Sequence, residues 1–184
     1  MNATEKYSTN RLKNELAEIE GSQRNQYLTM LNIYEKALIY KYSNDGYEAI
    51  NERLRLSNGE EIDEFGKLLM KALNKLPNLI QLVYRGANLT TTEIDRYVDA
   101  LEKNTLLKEH SFISATKSRF IAMAFGNVFF RIFSKTGKDV EKVTKFGLYG
   151  TSNEQEVLFI PNRKFRILEV KKELGNTTIT MEEA

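Results

Sequence analysis

Leu73-Asn74-Lys75-Leu76-Pro77-Asn78-Leu79-Ile80-Gln81-Leu82-Val83-Tyr84-Arg85-Gly86 is where the chain changes character. Before Pro77 the apolar residues recur at helical spacing. After it they cluster in short β-branched and aromatic runs. Proline has no N–H and a fixed φ, so a helix reaching Leu73 stops there. Upstream, Leu12, Leu16 and Ile19 keep helical spacing, and Tyr27, Met30, Leu31, Tyr34, Leu38 and Ile39 form a strong stripe. Asp45-Gly46 is expected to separate that helix from one carrying Tyr47, Ile50 and Leu54. Ser57-Asn58-Gly59 reads as a turn, and Ile62, Phe65, Leu69 and Leu73 share the face of the next helix. Downstream, strands are expected over 82–85, 111–116, 128–133, 156–160, 165–171 and 177–181, with helices over 92–103 and 117–125. The reading is α+β: a helical N-terminal half packed on an irregular, mainly antiparallel two-sheet β core. Residues 1–24 read as a polar helical preface and 25–184 as a single domain.

Composition narrows the function. The chain has 184 residues, 41% of them apolar, which is enough for a core and excludes disorder over most of its length. It carries 27 basic and 25 acidic residues, net +2. Residues 1–80 hold 11 and 12, and residues 81–184 hold 16 and 13. Neither half is a basic arm, so nucleic acid and anionic membrane are not expected partners. The absence of cysteine excludes disulfides, thiolate metal sites and cysteine catalysis together. A single histidine, His110, excludes a His-rich metal site. No apolar run is long enough to span a bilayer, and residues 1–21 lack the apolar core of a Sec-type signal.

Three short segments could carry chemistry. In Val83-Tyr84-Arg85-Gly86, strand alternation puts Val83 and Arg85 on one face and Tyr84 on the other. A guanidinium fork beside glycine backbone suits a pyrophosphate; it equally describes a salt-bridged arginine at a sheet edge. In Ser111-Phe112-Ile113-Ser114-Ala115-Thr116, the hydroxyls of Ser114 and Thr116 leave one face of a strand. They could bind a ribose or orient a carboxylate, or simply mark a half-exposed strand. In Glu154-Gln155-Glu156, which leads into Val157-Leu158-Phe159-Ile160, two carboxylates share a face if the stretch is extended. A solvated loop is the bland reading, but a carboxylate at the mouth of an apolar strand is poorly solvated and needs partners. Lys135-Thr136-Gly137-Lys138 lacks the spacing of a phosphate loop and reads as a hairpin turn.

Taken in order, the three segments closely resemble the motifs of the mono-ADP-ribosyltransferases of the Arg-Ser-Glu class. Tyr84-Arg85-Gly86 matches the Arg motif, and Phe112 to Thr116 the Ser-Thr-Ser motif. Glu154-Gln155-Glu156-Val157-Leu158 matches the E-x-E motif of the ADP-ribosylating turn-turn loop. Tyr42 to Asn51 looks like that family's helical lead-in. Two departures stand out: Ala115 and Thr116 replace the last two residues of Ser-Thr-Ser, and Thr151 replaces an aromatic that contacts the protein substrate in many toxins.

The resemblance implies the ADP-ribosyltransferase fold and a transfer of ADP-ribose from NAD⁺, as co-substrate, to a protein side chain, with nicotinamide released and no metal. Glu156 would stabilise positive charge building on the ribose ring, and Ser114 would orient it. Arg85 would pair with the NAD⁺ phosphates and Gly86 would offer backbone to the nicotinamide amide. Thr116 would join the NAD⁺ site through its hydroxyl. Phe125 would stack on nicotinamide, although an aromatic there also reads as core. Glu154 in place of Gln favours an arginine acceptor, because a carboxylate can hold a guanidinium fork and take its proton. His110 stands elsewhere than the His of the His-Tyr-Glu class and reads as structural. The implied partners are a target protein with an exposed arginine and, for a toxin, a cognate immunity protein, with the enzyme a monomer. A secreted or translocated effector acting in a target cell's cytosol is expected, otherwise a cytoplasmic enzyme. An NAD⁺ glycohydrolase and a non-catalytic module retaining the fold are the alternatives.

Overall fold

The computed structural model describes residues 1–184. It forms two compact units: Met1–Pro77 with Lys138–Glu156, and Asn78–Gly137 with Val157–Ala184.

The first unit is helical. Helices α1 (Ala3–Arg11), α2 (Lys13–Glu20), α3 (Ile33–Lys41), α4 (Tyr47–Leu56) and α5 (Glu64–Leu73) follow in order. Helix α3 is its centre, packed by α1, α2 and α5. Four successive residues, Ala37, Leu38, Ile39 and Tyr40, are buried, as expected of a helix covered on all sides. Capping boxes start α1 with Asn2 and Glu5 and α3 with Asn32 and Glu35. Each such cap is worth about 1 kcal/mol. Glu35 is also ion-paired to Lys75 at 2.6 Å. The polar start forms the two helices α1 and α2. There Leu12 and Ile19 are buried and the Ser8 hydroxyl donates to the Tyr34 carbonyl at 3.1 Å.

Asp45-Gly46 does not break the chain between α3 and α4. Tyr42–Gly46 forms a π turn that carries the helix onward, with Gly46 in the right-handed helical region. A glycine without a positive φ terminates nothing by itself. Ser57-Asn58-Gly59 is a turn, with Asn58 at φ 52° and Gly59 at φ 81°.

The second unit contains β1 (Leu79–Ala87), α6 (Thr91–Glu102), β2 (Leu106–Glu109), β3 (Ile113–Thr116), α7 (Arg119–Met123), β4 (Val128–Asp139), β5 (Glu156–Phe159), β6 (Arg163–Glu173) and β7 (Asn176–Glu183); the outermost residues of β4 and β5 fall in the first unit. The strand order is β1-β3-β5-β4-β7-β6-β2, and β1 also pairs with β4. Hydrogen bonds therefore run through all seven strands, linking the two expected sheets into one network. Pairing is antiparallel for β1 with β3 and β4 and for β6 with β2 and β7; β4 and β7 run parallel. Val83, Tyr97, Ala115, Phe130, Ile132, Phe159, Phe165 and Ile179 belong to one apolar core.

Two sequence readings of this unit are corrected. Residues 106–109 form a strand that the pattern missed, because Leu107 is its one buried residue and it pairs only with β6. Residues 135–138 are not a hairpin turn; β4 runs through them to Asp139. The buried Glu183 carboxylate accepts the backbone N–H groups of Lys135 and Thr136, each at 2.7 Å, and the Thr136 hydroxyl. A distant side chain thus satisfies backbone that would otherwise need a turn.

Candidate active site

Arg85 lies near the end of β1, paired with Phe130 of β4. Val83, two residues earlier on the same face, is fully buried, whereas Tyr84 on the other face stacks on Phe129 with centroids 5.8 Å apart. Arg85 therefore leaves the core side of the sheet, and it is half-buried. Its Nη1 donates to the Ser114 carbonyl at 2.6 Å, which joins the Arg motif to the hydroxyl strand directly. The charge of Arg85 also acts on the buried Tyr97 phenol. That hydroxyl donates to Glu109 Oε1 at 2.5 Å. Burial, first, and then the Glu109 carboxylate push the Tyr97 phenol well up, while Arg85 and Arg96 pull it down.

On β3, Ile113 and Ala115 belong to the core, and Ser114 is half-buried on the opposite face. The replacement of Thr by Ala115 therefore falls on the core side, away from Ser114. Thr116 Oγ1 accepts the Ser118 N–H at 3.0 Å, so this hydroxyl helps turn the chain into α7. Phe125 is not core: it is 50% exposed beyond the end of α7.

Gly86 has a structural reason of its own. A Cβ there would lie 2.1 Å from the carbonyl oxygens of both Ala122 and Phe125, where the end of α7 crosses β1. Neither oxygen can yield without moving backbone. Gly86→Ala is expected to cost about 1–3 kcal/mol, in the range of an overpacked core. Thermal denaturation of the purified variant checks this; an unchanged Tm would show that α7 shifts freely.

The two glutamates lie on and just beyond a built loop, 140–155. Val140 N–H to the Glu156 carbonyl, 3.1 Å, closes its neck. The buried Arg24 donates from Nε to the Thr144 carbonyl at 3.1 Å and from Nη2 to that of Lys145 at 3.4 Å. Ser43 Oγ accepts the Lys145 N–H at 2.8 Å, and Tyr149 stacks on Tyr27 with centroids 5.3 Å apart. At Gly147 a Cβ would sit 1.8 Å from the Glu141 carbonyl oxygen, so the chain can double back there only with glycine.

Glu154 and Glu156 are not placed by strand alternation. Gln155 between them has φ 49°, a left-handed conformation costing a residue with a Cβ roughly 1–2 kcal/mol. Glu156 opens β5 and is only 6% exposed. Glu154 is half-buried, and burial raises its carboxyl above the ordinary value. The phenol of Tyr47, a residue of the helical lead-in, is raised first by burial, then by the adjacent Glu48, with a smaller contribution from the Glu154 charge. Elsewhere in that lead-in, Asn51 Nδ2 donates to the Tyr42 hydroxyl at 3.0 Å.

Sequence reasoning missed Asn153 and Glu141, which brace this loop, and Arg24, which anchors it. Asn153, closing a polar Thr-Ser-Asn run, was a legible turn signal, because an Asn side chain bonds backbone two residues on. Arg24 gave none, because its partners lie 120 and 121 residues away. His110 lies between β2 and β3, with Nδ1 buried and unpartnered. No group of three or more His, Cys, Asp or Glu is placed to hold a metal ion.

Arg85 and Ser114 thus meet across β1 and β3, and Glu154 and Glu156 stand where a braced loop enters β5. The family model for ADP-ribosyltransferase exoenzyme matches residues 17–184. The chain belongs to that family. Mav of Mycobacterium avium (strain 104), named as an NAD(+)–arginine ADP-ribosyltransferase, is 32% identical over 171 residues, 88% of this chain and 19% of Mav. Vis of Vibrio splendidus (strain 12B01), named likewise, is 28% identical over 162 residues, 80% of this chain and 64% of Vis. The chain thus spans about a fifth of one relative and under two thirds of the other. Among solved structures, HopU1 of Pseudomonas syringae pv. Tomato DC3000 superposes with a TM-score of 0.79 at 20% identity, over 94% of this chain and 87% of HopU1. Vis in complex with agmatine superposes with a TM-score of 0.67 at 22% identity, over 100% of this chain and 87% of Vis. These likenesses establish the ADP-ribosyltransferase fold of the α+β chain.

Proposed function

We propose that this chain transfers ADP-ribose from NAD⁺ to an arginine side chain of a target protein and releases nicotinamide. The observation that carries the reading is the pair of glutamates on one braced loop, one deeply buried and one desolvated. Their environments differ, which suits two roles. Glu156, the more buried, serves charge that develops on the ribose as nicotinamide leaves. Glu154, which is partly exposed, serves the acceptor. An arginine arrives protonated and non-nucleophilic, so a carboxylate must bind its fork and take a proton as the new bond forms. The names of Mav and Vis, and the agmatine complex of Vis, support an arginine acceptor.

NAD⁺ supplies a leaving group that is already cationic, so no proton donor is required at the departing nitrogen. Arg85 has one N–H committed to the Ser114 carbonyl, which fixes the plane of its fork. The remaining donors of the guanidinium serve the diphosphate, and Ser114 orients Glu156. Gly86, Thr116 and Phe125 complete the NAD⁺ site, and residues 25–184 act as one catalytic domain. No metal takes part. The protein works as a monomeric toxin or effector in a target cell's cytosol, with a cognate immunity protein in the producer.

The direct test is nicotinamide release from NAD⁺, with label transfer to agmatine and to lysate protein followed by mass spectrometry of the modified residue. Arginine-linked ADP-ribose is the expected product; hydrolysis without any transfer would sink the reading. Arg85→Lys keeps the charge but loses the planar fork. It is expected to raise the KM for NAD⁺ and to restore only part of the function lost in Arg85→Ala. Unchanged NAD⁺ binding by Arg85→Ala in calorimetry would remove Arg85 from the phosphate role.

A further inference from the structure

The loop between Val140 and Glu156 contains a fastening that no motif includes. Gln155 holds a left-handed backbone between the two glutamates. One side chain meets it there: Asn153 Oδ1 accepts the Gln155 N–H at 2.9 Å. The same amide reaches the other limb of the loop, where Nδ2 donates to Glu141 Oε1 at 2.6 Å. Glu141 is itself held in place. Its N–H donates to Asp139 Oδ1 at 3.2 Å, and its carbonyl accepts the Leu148 N–H at 3.1 Å. Asparagine is the residue that fits, because it must accept from one limb and donate to the other.

The two glutamates depend on this fastening unequally. Glu156 belongs to β5 and its carbonyl takes the Val140 N–H, so its position survives without Asn153. Glu154 lies before the turn. It is tied by its own N–H to the Phe146 carbonyl at 2.8 Å and is aimed by the backbone of Gln155. We infer that Asn153 and Glu141 are positioning residues for transfer: by fixing the turn at Gln155 they aim the Glu154 carboxylate at the acceptor guanidinium. The inference rests on the reading of Glu154 as the acceptor-side carboxylate. Neither residue needs to touch a substrate, and the effect is selective for one of two activities.

The test uses the full chain, NAD⁺, and agmatine as the acceptor. Nicotinamide release without acceptor and label transfer to agmatine are measured side by side. Asn153→Ala is expected to lower transfer ~10-fold or more, as misplacement of a reacting group does, with hydrolysis near the parent rate. Asn153→Asp should lose transfer as well, since a second carboxylate would face Glu141. Gln155→Val should behave like Asn153→Ala, because a β-branched residue resists a positive φ. Glu141→Gln is the conservative rescue: its amide oxygen still accepts from Asn153, so transfer should stay close to the parent's. Normal agmatine labelling by both parent and Asn153→Ala overturns the inference alone. Equal loss of both activities in Asn153→Ala also overturns it, because the fastening would then serve the whole loop. A parent chain that releases nicotinamide but never labels agmatine overturns the acceptor reading, and this inference with it.

Discussion

Glu156→Gln is expected to lower turnover ~10²-fold or more with little change in NAD⁺ affinity, the signature of removing one stabiliser of transition-state charge. The expectation follows from position. The residue is 6% exposed, at the first position of β5, in a strand whose next three residues, Val157, Leu158 and Phe159, are fully buried. A carboxylate there is shielded from water, so its effect on a developing positive charge is larger than at the surface. Glutamine keeps the size and one acceptor oxygen, replaces the other oxygen by an NH₂ donor and removes the charge. Single-turnover kinetics with titrated NAD⁺ binding separates the two quantities. Near-normal turnover would remove Glu156 from the chemistry, and a matching loss of affinity would make it a binding residue.

Glu154→Gln is expected to divide the two activities. Transfer to agmatine should fall ~10²-fold or more, the range for losing a general base, while slow NAD⁺ hydrolysis persists. A neutral amide can neither pair with a protonated guanidinium nor take its proton. Equal loss of both activities would mean that the NAD⁺ site itself needs Glu154. Equal retention would make it a surface residue and reopen the acceptor question.

The raised carboxyl of Glu154 adds a pH signature. Burial disfavours the ionised form, so the folded protein holds this proton more tightly than the unfolded chain does. On acidification the ionised base is therefore lost at a higher pH than for an ordinary glutamate. Transfer by the parent should show an acid limb at higher pH than an ordinary glutamate would give, and the residual transfer of Glu154→Gln should lack it. For stability the sign is opposite. The contribution of this group is fullest below its unfolded value and is lost as pH rises through the folded one, so the active ionised form is the less stable one.

The ordered motifs on the strands were legible because each rests on local spacing. Val83 and Arg85 share a face by alternation, and burial of Val83 beside a half-buried Arg85 follows from it. Ala115 in the core and Ser114 opposite follow in the same way. Alternation failed at Glu154 and Glu156, since a positive φ at Gln155 has no expression in residue spacing. Composition misled at residues 135–138. Lys-Thr-Gly-Lys has turn composition, yet Glu183, 47 residues from Thr136, supplies the hydrogen bonds that keep it extended.

The sequence by itself determined the class of the fold, the change from helices to strands at Pro77, and the identity of the residues that carry charge and hydroxyls. Those properties follow from periodicity and side-chain chemistry, which act over a few residues. The tertiary structure alone decided how those groups are held. Arg85 reaches the Ser114 carbonyl across 29 residues, Arg24 reaches the loop across 120, and Asn153 reaches Glu141 across 12. Buried polar groups must find partners wherever the chain brings them, and that demand for hydrogen bonds away from water, rather than any local preference, sets the geometry of the glutamate loop.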